Sequence, residues 1–504
     1  MQLTKKSAPI RRQLAAAALT LLGISLAHAE PTSADRHGGL APLQIDPSLL
    51  GPGAAPRQAP TEDAGVSMPP ARSRFNVEDL AAADAPWRVD TGFLYYKEGD
   101  GRIQTKEAVI NVKRGFSDDS KLSLKLTVDT LTGGSPNGAL PSKSVQTFST
   151  PSGTTLQATP ATSTPTTPQT YTTASGSVVQ VGGNGSASHS TVYSVAPGAL
   201  PIDKTFQDER IALSLGREQV LGSSNRLSYG GAFSHELDFM SASGNAAIAH
   251  DFNDKNTTLS AGVNLETDSI RPIGGAPVAW SEYGQFLKQG NKSKRVEDLL
   301  LGLTQIMNRR WITQLNYSID ASNGYQNDPY KILSVLDSQG NPLGYDYENR
   351  PEHRVRRSLY WDNKFALNRD TFQVSFRHMS DDWGITSQTA DFHYRWMFAD
   401  NSYLEPHLRR YTQSAANFYR LFLIQGDPAQ TYASADPRLA AFDASTVGLK
   451  FGVPMGAGSE FSVRVERYLQ KGRQAPSIPA QLQGLDLYPG LRAWIVQGGL
   501  SASF

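Results

Sequence analysis

The sequence predicts an all-β fold: a transmembrane antiparallel β-barrel of about 16 strands, with short periplasmic turns and long extracellular loops. Three observations carry this. From Trp87 onward, apolar residues recur with period two. The connections between the alternating segments fall into a short set and a long set that take turns along the chain. The first 29 residues read as an export signal.

The N-terminal segment is taken first. Lys5, Lys6, Arg11 and Arg12 form a positive region, Leu14 to Leu26 an apolar run, and Ala27-His28-Ala29 a small-x-small cleavage pattern. This is the anatomy of a secretory signal peptide over 1–29. Cleavage would remove four positive charges from a chain of formal charge +1. Residues 30–85 are rich in Pro, Ala and Gly (Pro47, Pro52, Pro56, Pro60, Pro69, Pro70) and lack periodicity. That composition buries too little apolar surface to order itself. It is expected as a periplasmic tail, or as a plug entering the barrel, with the barrel over 86–504.

Composition excludes several classes. The 504 residues include 44 Gly and no Cys, so disulfides, thiolate metal sites and cysteine nucleophiles are absent. Only 19% are charged, below the roughly 25% of soluble domains. Mean hydropathy is −0.38, and no apolar run is long enough for a spanning helix. A balanced charge gives no reason to expect a nucleic-acid partner.

The strands follow from alternation. In 121–130, Leu122, Leu124, Leu126 and Val128 share one face, and Ser123, Lys125, Thr127 and Asp129 the other. In 311–320, Trp311, Thr313, Leu315, Tyr317 and Ile319 oppose Gln314, Asn316, Ser318 and Asp320. Phe392, Tyr394, Trp396 and Phe398 oppose Asp391, His393 and Arg395. The predicted spans are 87–97, 103–116, 121–131, 206–219, 226–239, 243–252, 257–269, 296–307, 310–321, 354–367, 371–379, 386–398, 402–412, 443–453, 460–470 and 491–504.

A soluble sandwich would bury the apolar faces, whereas a membrane barrel turns them to lipid. The loops decide between the two. Every second connection is a short turn of Gly, Asn, Asp or Ser, such as Asn368-Arg369-Asp370 and Ala399-Asp400-Asn401. Every long connection (132–205, 270–295, 322–353, 413–442, 471–490) falls in the other set. Trp494, Val496, Gly498, Leu500, Ala502 and Phe504 alternate to a terminal aromatic, the kind of signature through which barrel assembly machinery would engage Phe504.

Several stretches resemble a bacterial outer-membrane barrel family catalogued as a domain of unknown function, number thirty-five seventy. They include DTGFLYYKEGD (90–100), HDFNDKNTTLSAGVNLETDSIRPIGG (250–275), YENRPEHRVRRSLYW (347–361) and DDWGITSQTADFHYRWMF (381–398). The resemblance implies an outer-membrane location and a barrel. It implies no reaction and no catalytic residue.

Function is read from the inward positions. Arg356, Asp362, Arg377, Asp391, His393, Arg395, Glu405, His407 and Arg409 are the candidate pore-lining residues. Mixed charge on a lumen wall tunes selectivity. Counting a four-residue turn after Phe398 sets His393 beside Arg409 and Arg395 beside His407. A metal at His393 and His407 would need a third close ligand, and neighbouring arginines disfavour a cation, so no metal or cofactor is expected.

The loop 322–353, with Tyr325, Asp328, Tyr330, Tyr345, Asp346, Tyr347, Glu348 and Arg350, is expected to fold over the lumen through ion pairs and tyrosine packing. The loop 133–200 has one charged residue, Lys143, and reads as a solvated external loop. His235-Glu236-x-Asp238 and Ser380-Asp381-Asp382-Trp383 lack the spacing of a nucleophile motif, so no enzyme is expected. The sequence thus predicts a porin-like channel for small polar solutes or ions, embedded in outer-membrane lipid. The alternative is a non-conducting scaffold that binds surface or periplasmic proteins.

Overall fold

A computed structural model of the chain describes residues 87–503, apart from 150–154, 157–168, 173–177, 182–188, 191, 273–274, 285–287, 457, 474–477 and 488–489. The expected signal peptide, the tail and Phe504 lie outside the described residues.

Sixteen strands close into one antiparallel barrel. They are β1 (Trp87–Glu98), β2 (Gln104–Gly115), β3 (Lys121–Thr132), β4 (Gln207–Leu221), β5 (Asn225–His235), β6 (Phe239–Phe252), β7 (Thr257–Ile270) and β8 (Lys292–Asn308). Then follow β9 (Trp311–Gly324), β10 (His353–Leu367), β11 (Asp370–Asp381), β12 (Thr386–Met397), β13 (Tyr403–Gln413), β14 (Phe442–Gly456), β15 (Ser459–Gly472) and β16 (Leu491–Ser503). Each strand pairs with its sequence neighbour, and β1 closes on β16 from Arg88↔Ser503 to Glu98↔Ala493. Closure leaves no unpaired edge, which lipid would not tolerate.

Alternation places the apolar rows outside. Leu213, Leu215, Leu299, Leu301, Leu315, Leu359, Trp361 and Phe376 are all exposed, while Asp129, Asn264, Asp320 and Ser375 between such residues are buried. An exposed apolar belt around a polar interior is the surface of a membrane barrel. Trp311, Phe365, Phe372 and Phe392 stack in succession across β9 to β12, with centroids 5.0–5.6 Å apart. They form part of an aromatic girdle on the side of the short turns.

Those turns hold several residues in the left-handed region, among them Asp119, Asn253, Asp254, Asn368 and Asn401. Asn and Asp adopt it at low cost because their side chains bond locally to the backbone. One boundary differs from expectation. The sequence pattern puts a break between 239 and 243, but β6 begins at Phe239 and the turn is 236–238. There Glu236 N–H donates to Phe239 O at 2.7 Å. The Ser and Gly residues of early β6 resemble a turn in sequence because they are small; in the structure they are paired strand positions, Ser241 and Ser243 facing the interior and Gly244 the outside.

The long loops meet over the opposite end. A hairpin of Ile332–Leu336 and Pro342–Tyr347 follows β9, and Leu423–Ile424 from the β13–β14 loop joins it in parallel. Asn137 O, from the β3–β4 loop, accepts from Ile332 N–H at 2.9 Å. Strands β3 and β9 lie far apart around the barrel, so this contact spans the mouth. The resulting cap has its own core, including Ala139, Phe148, Ile332 and Tyr345. Thus the described ends of the loop 133–200 are not merely solvated: Leu140, Gln146 and Phe148 are buried. Two aromatics, Phe148 and Tyr193, whose ring centroids lie 5.7 Å apart, anchor a segment whose average composition reads as unstructured.

Candidate functional site

The barrel interior has two unlike walls. On β4 to β7 most mid-strand inward positions are small and uncharged: Ser214 and Gly216, Gly230 and Ala232, Ser243 and Asn245, Ser260 and Gly262, with Glu266 on β7 opposite Ser243. Counting half-way round a sixteen-stranded barrel leads to β12 to β15, where the inward positions are large and ionisable.

That second wall builds a cluster of charged side chains around two histidines. His393 on β12 is the direct cross-strand partner of His407 on β13, and Asp391 of Arg409. The imidazoles stack with centroids 4.2 Å apart and planes at 6°. The Asp391 carboxylate bridges them, with Oδ1 2.8 Å from His393 Nε2 and Oδ2 3.2 Å from His407 Nε2. The outer nitrogens meet further carboxylates: His407 Nδ1 is 2.7 Å from Glu466, and His393 Nδ1 is 3.5 Å from Glu405.

The acids are held in turn. Arg395 Nε donates to Glu405 at 2.8 Å. Arg464 bridges Glu405 at 3.1 Å and Glu466 at 3.2 Å. Arg395 also stacks over the Tyr403 ring at 4.2 Å, and Tyr403 Oη donates to Glu460 at 2.7 Å. Fully buried charges are costly unless each is paired and hydrogen-bonded. Lys450 and Arg464, with at most 1% of their surface exposed, sit within this array of acids and rings.

Two glycines make the reach possible. Gly448 lies between His407 and Glu466 in the pairing order. A Cβ there would sit 2.6 Å from Glu466 Oε1. Gly452 leaves room in the same way for the Tyr403 ring, 2.3 Å from a built Cβ.

All nine predicted site residues face the barrel interior. Asp391, His393, Arg395, Glu405, His407 and Arg409 come together in the cluster. Asp362 and Arg377 lie beside it on β10 and β11; Asp362 accepts from Gln373 at 3.0 Å and Arg377 covers Tyr360. Arg356 stands apart near the extracellular end, paired with Asp320 at 2.7 Å. The expected pairing of His393 with Arg409 and Arg395 with His407 is corrected by two residues. The turn holds three residues, Ala399-Asp400-Asn401, closed by Phe398 N–H donating to Ser402 O at 2.8 Å. Sequence reasoning over β10 to β13 also omitted Lys450, Arg464 and Glu466. The alternation of Arg464 and Glu466 with Val463 and Val465 carried that signal.

The cap carries a second buried network. Arg350 meets Glu348 at 2.7 Å and Asp436 at 2.8 Å; Arg438 bonds Asp436 and reaches Asp328 at 2.8 Å. These acids are therefore held by arginines rather than grouped as an oxygen cage for a cation. Lys331 Nζ donates to Ser135 Oγ and Pro136 O, both at 2.6 Å. Asp381, in the Ser380–Trp383 turn, pairs with Arg354 at 2.7 Å, so that turn serves as a structural clasp.

The family described as "Protein of unknown function (DUF3570)" matches residues 63–502, the whole barrel and part of the segment before it. The chain belongs to this family. No curated protein matches it. Among solved structures, this DUF3570 barrel is similar to CdiB from Acinetobacter baumannii, with 7% identity, TM-score 0.38, and coverage of 83% of this chain and 60% of that one. It is similar to a ferric enterobactin receptor variant from Pseudomonas aeruginosa, with 8% identity, TM-score 0.35, and coverage of 77% and 54%. It is similar also to the monoaromatic hydrocarbon channel TodX, with 11% identity, TM-score 0.33, and coverage of 85% and 93%. The chain thus spans about 60% and 54% of the first two.

Proposed function

We propose that the chain is an outer-membrane channel of porin type, passing small polar solutes or ions. In this reading the protein is exported by its N-terminal signal into a Gram-negative envelope. The barrel assembly machinery then inserts it by way of the Phe504 terminus. The observation that supports conduction is the two-walled interior. Mostly small side chains line β4 to β7, and the long side chains of β12 to β15 extend inward from the opposite wall. Sixteen-stranded barrels commonly keep an aqueous lumen. A solute passing between the walls experiences a sideways field from fixed Arg, Asp, Glu and His groups, which orders water and favours polar solutes.

Single-channel recording of the refolded protein in planar bilayers tests this. Discrete steps are expected, and no conductance above the lipid background overturns it. Comparing chains with and without residues 30–85 separates a tail that plugs the lumen from one that hangs free.

A second reading, a partner-binding barrel, is favoured by one feature. The cap carries a cleft of ≈ 720 Å³ lined by Trp280, Tyr419, Arg420, Phe422 and Leu423. Aromatic and arginine side chains in a concave surface are common binding anchors. Cross-linking in native outer membranes tests it; a barrel always recovered alone counts against it.

A further inference from the structure

We propose that Asp391, His393 and His407 form a binding site for a divalent first-row transition-metal ion, such as Zn²⁺ or Cu²⁺, on the barrel's inner wall. The inference does not depend on conduction.

Three potential ligand atoms, one from each residue, lie within 4.8 Å of one another. Both histidines turn Nε2 toward the same carboxylate, at 2.8 and 3.2 Å. Two ligands bound about 2.1 Å from one ion stand roughly 3.0 Å apart at a right angle and roughly 3.4 Å apart in a tetrahedron. The two imidazole–carboxylate separations, one to each Asp391 oxygen, are short enough for a modest ring movement to bring the three groups onto one ion. The donor set, two imidazoles and one carboxylate, suits Zn²⁺, Cu²⁺, Ni²⁺ or Co²⁺ and not the hard ions Mg²⁺ and Ca²⁺.

The surroundings are those of a metal site. Metal-binding histidines usually offer their other nitrogen to a carboxylate, which fixes ring and tautomer. Here Glu466 holds His407 Nδ1 at 2.7 Å and Glu405 faces His393 Nδ1 at 3.5 Å. The nearby arginines oppose a cation less than their number suggests. Arg395 and Arg464 are engaged by Glu405 and Glu466; Arg409 pairs loosely with Asp391 itself, 3.9 Å from Oδ2, and a bound ion would displace it. Parallel rings cannot both hold one ion in their planes, so binding tilts them together. The His393 side chain, 24% exposed, is the less enclosed of the two rings and the one expected to turn. The remaining coordination positions then face the lumen, open to water or a passing solute.

The test uses the full mature barrel in detergent, without a polyhistidine tag, near neutral pH. Calorimetric titration with Zn²⁺ is expected to show about one equivalent per chain. The His393→Gln/His407→Gln double variant is expected to lose that equivalent, while His250→Gln, outside the cluster, keeps it. Glu466→Gln is expected to weaken it about 10–100-fold. Electron paramagnetic resonance of the Cu²⁺-loaded wild type reads the site without relying on variants that must fold, and is expected to count two imidazole nitrogens. No stoichiometric uptake by the wild type, full uptake by the double variant, or fewer than two coordinated nitrogens overturns the proposal.

Discussion

The carboxylate of Glu466 lies 2.7 Å from His407 Nδ1 although a whole strand, β14, separates β15 from β13. The contact passes over Gly448, the one position in that row with no side chain to block it. Gly448→Ala places a methyl 2.6 Å from Glu466 Oε1, so the carboxylate must leave His407. Overpacking of this kind costs about 1–3 kcal/mol. A lower urea midpoint for the refolded barrel is expected, and an unchanged midpoint would show that Glu466 has another resting place.

Arg350 ties together two loops that start at different strands, reaching Asp436 from beside Glu348. Removing one partner of a buried pair leaves the other charge without its counterpart and costs about 3–5 kcal/mol. In Arg350→Ala the loops after β9 and β13 are expected to become sensitive to protease while the strands stay protected. Loops as resistant as in the wild type would place the clasp elsewhere.

Glu348 makes the same cap sensitive to pH. Burial, opposed by Arg350 and aided by the Asp328 and Asp436 carboxylates, raises its carboxyl from 4.5 to about 7. The folded cap therefore favours the protonated form. This contribution is complete below the ordinary carboxyl value and is lost as pH rises through about 7. Asp436 moves the other way: burial pushes it up, but Arg438, Arg350 and Lys331 hold it well below the usual range, so it stays ionised throughout. Protease resistance of the cap should fall between about pH 5 and pH 8, and Glu348→Gln should flatten the profile. A wild-type profile already flat over that interval contradicts the assignment.

The apolar belt predicts an asymmetry between neighbouring residues. Leu301 is 45% exposed on the outer face near the middle of β8. Leu301→Arg puts a charge against lipid and is expected to cost about 2–4 kcal/mol in refolding titrations into liposomes. Ser243→Arg, pointing into the interior opposite Glu266, should cost far less. Equal costs would mean that the faces are wrongly assigned.

The barrel was legible in sequence because strand alternation and loop length are local signals. Both survive without knowledge of neighbours, and so each predicted strand overlaps an observed one. Registers were less legible. The expected pairing between β12 and β13 was off by two residues, around a three-residue turn whose geometry depends on Asn401 at φ 63°. The site was half legible. His393, His407 and Asp391 were assigned to one face, but their convergence on a single carboxylate rests on register. The part played by Glu466 rests on the absence of a side chain at Gly448, which no periodicity reports. The cap was legible through its tyrosines and ion pairs on one loop. Its partners Phe148, Leu423 and Asp436 sit in loops whose composition does not point to one another.

In the proposed channel, water fills a path between a wall of mostly small residues and a charged wall. The chain has no native cysteine, so one introduced thiol reports its own environment. The direct measurement is single-channel conductance of Ser243→Cys before and after a charged, membrane-impermeant thiol reagent, with outward-facing Ala246→Cys as the control. Steady conductance is expected that falls on modification of Ser243→Cys and is unchanged in Ala246→Cys. Absence of conductance in the unmodified barrel, or equal responses from the two positions, would contradict the proposed channel.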